Sequence, residues 1–154
     1  MTNETSGVSI LDAGQVHYLD HVETEESVQV RLWTGEHLPA HAVASGLAML
    51  AFSPADVVEE HLLEPLEPYT ANTMTDRKIV DARLAEARSN GFVWVTEELS
   101  EGLNSVGAPV LDENGLPIAA LHVHGPAYRF PEDDADRYGR LVADAAAKLS
   151  DQIR

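Results

Sequence analysis

Seven histidines and no cysteine set the range of chemistry open to this 154-residue chain. Without thiols there are no disulfides, no thiolate nucleophile, no Cys-ligated zinc and no iron–sulfur cluster. His122 and His124 form an H-x-H pair at the end of the apolar run Leu116 to His124. On a strand, residues two apart share a face and stand about 7 Å apart. Paired imidazoles in that position can donate to a carboxylate, titrate near neutral pH or form half of a metal site. His37 and His41 lie ahead of an apolar helix and would complete a four-histidine metal set with His122 and His124. The plainer alternative is that the strand histidines are satisfied by neighbouring carbonyls, with no ligand. Glu97, Glu98 and Glu101 form a carboxylate cluster. No nucleophile accompanies it, so acid–base catalysis lacks a partner and a solvated loop is expected. His17, His21 and His61 read as structural or exposed. Trp33 and Trp94 read as core or interface residues, with Trp33 close enough to Gly35 to line a pocket there.

The element that would position a ligand against His122 and His124 is Gly35 to Phe52, GEHLPAHAVASGLAMLAF. Val43, Leu47, Leu50 and Ala51 recur at the spacing of one helical face. Pro39 suits a helix opening and Ser45 suits an N-cap. Ala44, Ser45 and Gly46 are small, so a ligand could approach the free amides of the first turn. Small residues also let a core helix pack closely, and the residues alone leave both readings open.

The other elements follow from period and punctuation. Val8–Ala13 and Gln15–Glu23 alternate about Ala13-Gly14 and predict a hairpin, with Val16, Tyr18 and Val22 on one side. Val28–Trp33 predicts a third strand of an antiparallel meander. A short helix is expected from Pro54 to about His61, begun by Ser53-Pro54-Ala55-Asp56, and then irregular chain to Tyr69. Asn72 to Asp76 caps a helix with the stripe Ile79, Val80, Leu84 and Ala87, stopped by Asn90-Gly91. Phe92–Thr96, Ser105–Leu111 and Leu116–His124 read as strands, the last two joined by Asp112-Glu113-Asn114-Gly115. Pro131 opens a final helix with an acidic first turn and the stripe Tyr138, Leu141, Val142, Ala145 and Leu149. The order predicts one α+β domain, a mostly antiparallel sheet with helices on its faces.

The net charge of −16 repels nucleic acid, whose binding rests on Lys and Arg. No apolar run approaches the roughly 20 residues a bilayer requires, and Met1–Gly7 lacks a basic signal-peptide start. A cytoplasmic protein with no membrane partner is expected.

Five pieces of this chain stand in the order of a known family. GEHLPAHAVASGLAMLAF resembles G-x-x-x-P-x-H-x-x-A-x-G-K-A-x-L-A, and Tyr69–Thr75 resembles Y-T-x-x-T-x-T. Gly91 with Glu97–Gly102 resembles G-(Y/F) followed by E-E-x-x-x-G, Ala108-Pro109-Val110 with Gly115 resembles A-P-V-x-x-x-x-G, and Gly125-Pro126 resembles the end of S-G-P. Together they resemble the effector-binding domain of IclR-type transcriptional regulators. The resemblance implies a GAF-like domain over residues 1–154 that is not an enzyme and needs no cofactor. It implies a small-molecule effector, often a carboxylic acid, and a homodimer or tetramer. DNA would be contacted only through an N-terminal winged helix-turn-helix, absent here, so the chain is expected to be the sensing half of a longer regulator or a naturally truncated one. Carried over by position, the ligand would meet the amides of Ala44, Ser45 and Gly46, walls at Leu103 and Ser105, and His122, His124 and His41. Three departures stand out. Leu47 replaces a usual Lys, two imidazoles replace Ser-x-Ser, and Val95 stands near a position that is acidic in some members, which favours a less polar ligand. The competing readings are a metal-dependent enzyme using His37, His41, His122 and His124, and a ligand-free dimerisation module built on the first hairpin and the final helix.

Overall fold

The first hairpin forms where alternation and the Ala13-Gly14 signal predict it. Strands β1 (Thr5–Asp12) and β2 (Gln15–Val22) pair antiparallel. Both turn residues are left-handed, Ala13 at φ 51° and Gly14 at φ 84°, as a tight type I′ hairpin requires. The computed structural model describes residues 3–25 and 33–153. The expected strand Val28–Trp33 therefore lies outside the described residues, Trp33 excepted. Among the described residues, the strand that pairs with β2 on the side away from β1 is the two-residue β3 (His37–Leu38). With β4 (Val93–Thr96), β5 (Leu103–Leu111) and β6 (Pro117–Pro126), these make, among the described residues, one six-stranded sheet in the order β3-β2-β1-β6-β5-β4. Every pairing is antiparallel.

A bulge in the hairpin alters which side chains face the site. The register moves from Val8↔Asp20 to Ser9↔Tyr18, leaving Leu19 without an opposite residue. Directly paired residues share a face. His21 pairs with Gly7, which pairs with His122, so His21 joins Tyr18 on the inner side of the sheet. Val22 is turned outward and is 69% exposed. The simple alternation that grouped Val22 with Tyr18 is corrected by this extra residue.

Among the described residues four helices cover the sheet: α1 (Ala44–Ala51), α2 (Ala55–His61), α3 (Arg77–Asn90) and α4 (Ala135–Gln152). All eight residues of α1 are buried, so it is a core helix on every side rather than an amphipathic one. Val43 stands at its N-cap with no side-chain cap bond; Ser45 lies inside the first turn, and Pro39 instead precedes a 3-10 turn, Ala40–Ala42. The N-cap expected of Ser45 is thus not formed. In α3, Asp76 caps by accepting from the Lys78 amide and Gly91 closes the helix at φ 82°. Val80, Leu84 and Ala87 make its buried stripe, while Ile79 is exposed.

The rotation of α4 also differs from its sequence pattern. Gly139, Val142, Ala146 and Ser150 are buried, whereas Leu141 and Ala145 face outward. The ring of Phe92 lies where a side chain on Gly139 would be. At the far end the Ser150 hydroxyl accepts from the Leu111 amide and donates to the Ala146 carbonyl. These two contacts set the helix face from outside the helix.

Helices α1 and α4 lie on opposite faces. Val106, Ala108, Val110 and Val123 pack with Phe130, Val142 and Ala146 on the α4 side. Leu103 and Ala120 pack with α1, α3 and the inner residues of β2 on the other. This is the α+β, GAF-like arrangement. No helix among the described residues is long and apolar enough to cross a membrane.

Candidate functional site

The candidate site lies on the α1 side of β5 and β6, where two glycines make room for it. Gly7, His122 and Gly107 form one cross-strand row over β1, β6 and β5. A Cβ on Gly7 would stand 2.7 Å from Cε1 of His122, so that ring occupies the space above the glycine. A Cβ on Gly107 would stand 2.8 Å from both the Ala44 carbonyl carbon and the Ser45 nitrogen. The start of α1 therefore rests directly on the backbone of β5. In the next row Ser105 pairs with His124.

Four rings continue across this face. His122 and His124 stack with centroids 5.4 Å apart, as their shared strand face predicts. Tyr18 lies 4.6 Å from His122, and Trp33 meets His124 edge-on at 5.5 Å. The Ser45 hydroxyl donates to the Tyr18 oxygen across 3.5 Å, tying the helix start to the ring row. Beneath Trp33 is an inner cavity of about 10 Å³, walled by Val43, Val95, Leu103, Ser105 and His124 among others. Trp33, Leu99 and Leu103 are shared with an outer groove of about 560 Å³ that reaches His37, Tyr69 and Glu101. The inner space holds at most one water, while the outer volume is within the range of small-molecule pockets.

The loop carrying Leu99 is pinned by the Tyr69–Thr75 motif. The Thr73 hydroxyl accepts from the amides of Tyr69 and Thr70 and donates to the Glu98 carbonyl. The Thr70 hydroxyl donates to the Glu97 carbonyl and the Asn72 amide group to the Thr96 carbonyl. Glu98 is not a solvated loop residue. Its carboxylate is buried and bonded at both oxygens by Arg83, because α3 brings that guanidinium under the loop.

Burial leaves His122 neutral. Loss of solvent, then the proximity of His124 and His21, holds its pKa down to about 3 from the ordinary 6.5. Its Nδ1 has no hydrogen-bond partner among the described residues. Burial pushes the Tyr18 hydroxyl up to about 12, partly offset by Ser45. A folded ring that resists protonation makes stability depend on pH. As pH falls below 6.5 the unfolded chain takes up the proton first, so stability is full above that pH and drains toward 3. Between pH 7 and 5 the wild type should lose about 2 kcal/mol relative to His122→Gln. Urea unfolding at both pH values measures this, and parallel losses in the two proteins would remove His122 as the cause.

The sequence-derived site residues divide into groups. Leu103, Ser105 and His124 share the inner cavity, with His122 beside it under Tyr18. Ala44 and Ser45 sit against Gly107, and the cavity is lined instead by Ala42 and Val43, the two residues just before them. Gly46 faces Ala40 and Val16 and does not reach the cavity. His41 is elsewhere: its Nε2 donates to the Glu67 carbonyl at 2.8 Å, its ring lies by Tyr69, and it borders a separate pocket with His61. His37 stacks on His17 and bonds Asp12. The four histidines of the metal reading thus occupy three different surroundings and are not brought together. Tyr18 and Leu99 were not singled out from sequence. Alternation gave Tyr18 its inward face, but its place beside His122 depends on how β1 pairs with β2 and β6, and that of Leu99 on the loop fold; neither leaves a local pattern.

The chain matches the family model described as bacterial transcriptional regulator IclR C-terminal over residues 1–151. It is 35% identical over 141 residues to the HTH-type transcriptional regulator Rv1719 of Mycobacterium tuberculosis, covering 92% of this chain and 54% of that protein. It spans about half the length of the curated relatives it matches, which are HTH-type transcriptional regulators and repressors. The Thermotoga maritima IclR crystal structure is similar at TM-score 0.89 and 31% identity, over 98% of this chain and 62% of that one. The inducer-binding domain of the PobR transcription factor from Acinetobacter is similar at TM-score 0.83 and 26% identity, over 97% of this chain and 89% of that one. On this evidence the chain belongs to the IclR C-terminal domain family of bacterial transcriptional regulators.

Proposed function

We propose that this domain senses a small, flat organic acid that binds where the outer groove meets the inner cavity across Trp33. The observation that carries the reading is the row of four buried rings facing the start of α1, on one side of a groove large enough for a small molecule. Rings of Trp33, His124 and Tyr18 suit an aromatic or conjugated ligand. Among the described lining residues of cavity and groove there is no Lys or Arg. A carboxylate would therefore be held by hydrogen bonds from imidazole, hydroxyl and backbone amide groups rather than by a salt bridge. The similar PobR domain, as a double mutant, was crystallised as a complex with 3-hydroxybenzoic acid, which supports this ligand class.

A ligand that prefers one of two conformations shifts the balance between them. In this proposal that shift is passed to DNA through a separate N-terminal domain, in a cytoplasmic homodimer or tetramer. The oligomer is supported by an open groove of about 390 Å³ between β1, β2, β6 and α4, lined in part by the exposed Val22 and Leu141. That groove joins the first hairpin to the final helix.

The test uses tryptophan emission. Trp94 stacks on Phe130 on the opposite face, so Trp94→Phe leaves Trp33 as the reporter. Benzoate, hydroxybenzoates and small aliphatic acids are titrated, with calorimetry in parallel. At least one acid should change Trp33 emission, and His124→Ala should weaken its binding by roughly tenfold or more. His122→Ala and Ser45→Pro test the neighbouring positions, with unliganded melting curves as the folding control. If no acid changes emission or melting, or if folded His124→Ala binds as well as its parent, the site assignment is wrong.

A further inference from the structure

We propose that Asp12, His17 and His37 form a surface site for one divalent transition-metal ion of the zinc or nickel type, at the outer edge of the groove that His37 borders. The topology assembles the site. His17 and His37 are direct cross-strand partners on β2 and β3, their rings stacked at 4.3 Å. Asp12, the last residue of β1, pairs with Gln15, which shares a strand face with His17. Asp12 and His17 are thus diagonal neighbours on the face that also holds His37.

The donors converge. One ligand atom from each of the three residues lies within 4.8 Å of the others. Among the described residues this is the one such group of three. His37 Nε2 and Asp12 Oδ2 are already 3.3 Å apart. Two ligands of a tetrahedral zinc stand about 3.4 Å from each other, as bond lengths near 2.1 Å dictate. Closing the third donor requires the stacked rings to open by side-chain rotation. Asp12 and His37 are exposed and His17 is half-buried, so the movement falls on the two exposed side chains.

Two imidazoles and one carboxylate select a borderline metal over magnesium or calcium, which prefer oxygen. Three protein donors leave positions open to water or a small anion. The ion would fasten the short strand β3 to the hairpin. His37 also borders the outer groove, so occupancy would stiffen the rim of that groove.

The experiment uses the untagged chain in a buffer that does not chelate metal. ZnCl2, NiCl2 and MgCl2 are compared by calorimetry and thermal melting. Zinc or nickel at roughly ten times the dissociation constant should raise the melting temperature by about 4 °C, with one ion bound per chain. His17→Gln, His37→Gln and Asp12→Asn should each reduce the shift. His21→Gln should retain it, although His21 has its own acidic neighbour in Glu23. The proposal is overturned by no shift with either metal, by an equal shift with magnesium, which would report only the acidic surface, or by a full shift in folded His37→Gln.

Discussion

Arg83→Met should lower the unfolding free energy by about 3–5 kcal/mol, the cost of stranding a buried carboxylate. Arg83 donates to Glu98 Oε1 at 2.6 Å and to Oε2 at 2.8 Å, and it also bonds the Trp94 carbonyl. The side chains are only 16% and 5% exposed. Methionine keeps most of the stem and removes the cation, so Glu98 keeps only the 3.3 Å contact from the Thr96 amide and gains no water. The double variant Arg83→Met, Glu98→Leu should recover part of the loss, because neither charge then remains unpaired. Urea unfolding of the two singles and the double measures the coupling. A single-variant loss below about 1 kcal/mol would mean that the pair behaves as a surface ion pair. The loop held by Glu98 carries Leu99, a wall of the cavity. Ligand response in the Trp94→Phe background should therefore fall with stability.

Gly107→Ala should cost about 3 kcal/mol, at the upper end of the range for overpacking a close-packed interior. The added methyl group would stand 2.8 Å from the backbone of Ala44 and Ser45. No flexible side chain can swing aside, so either β5 bends or the start of α1 lifts. Lifting it would also stretch the contact between Ser45 and Tyr18, which already spans 3.5 Å. Thermal melting gives the stability, and the Trp33 titration reports whether the cavity has changed shape. Wild-type melting in Gly107→Ala would show that the helix start does not press on β5 as the packing implies.

These expected results rest on residues whose roles could be read from sequence to different degrees. The hairpin at Ala13-Gly14, the Asp76 and Gly91 ends of α3, and the shared face of His122 and His124 were all legible. Each depends on residues within a few positions of one another. The family motifs were legible for a related reason. Thr70 and Thr73 hold the Glu97–Glu98 loop with their hydroxyls, and only threonine and serine offer so short a group that both donates and accepts.

The amino-acid sequence by itself determined the kinds of element, their turns and caps, the absence of thiol chemistry and the motif order of the family. Periodicity and backbone preference are local, so they survive being read in one dimension. Only the tertiary structure decided phase and partnership. The bulge at Leu19 turned His21 inward, Phe92 against Gly139 set the face of α4, and Arg83 drew Glu98 out of solvent. It also parted His37 and His41 from His122 and His124, and it placed His37 beside Asp12 and His17. The physical reason is common to all of these. A strand's register and a helix's rotation are chosen by what packs against them, and those partners lie far away along the chain.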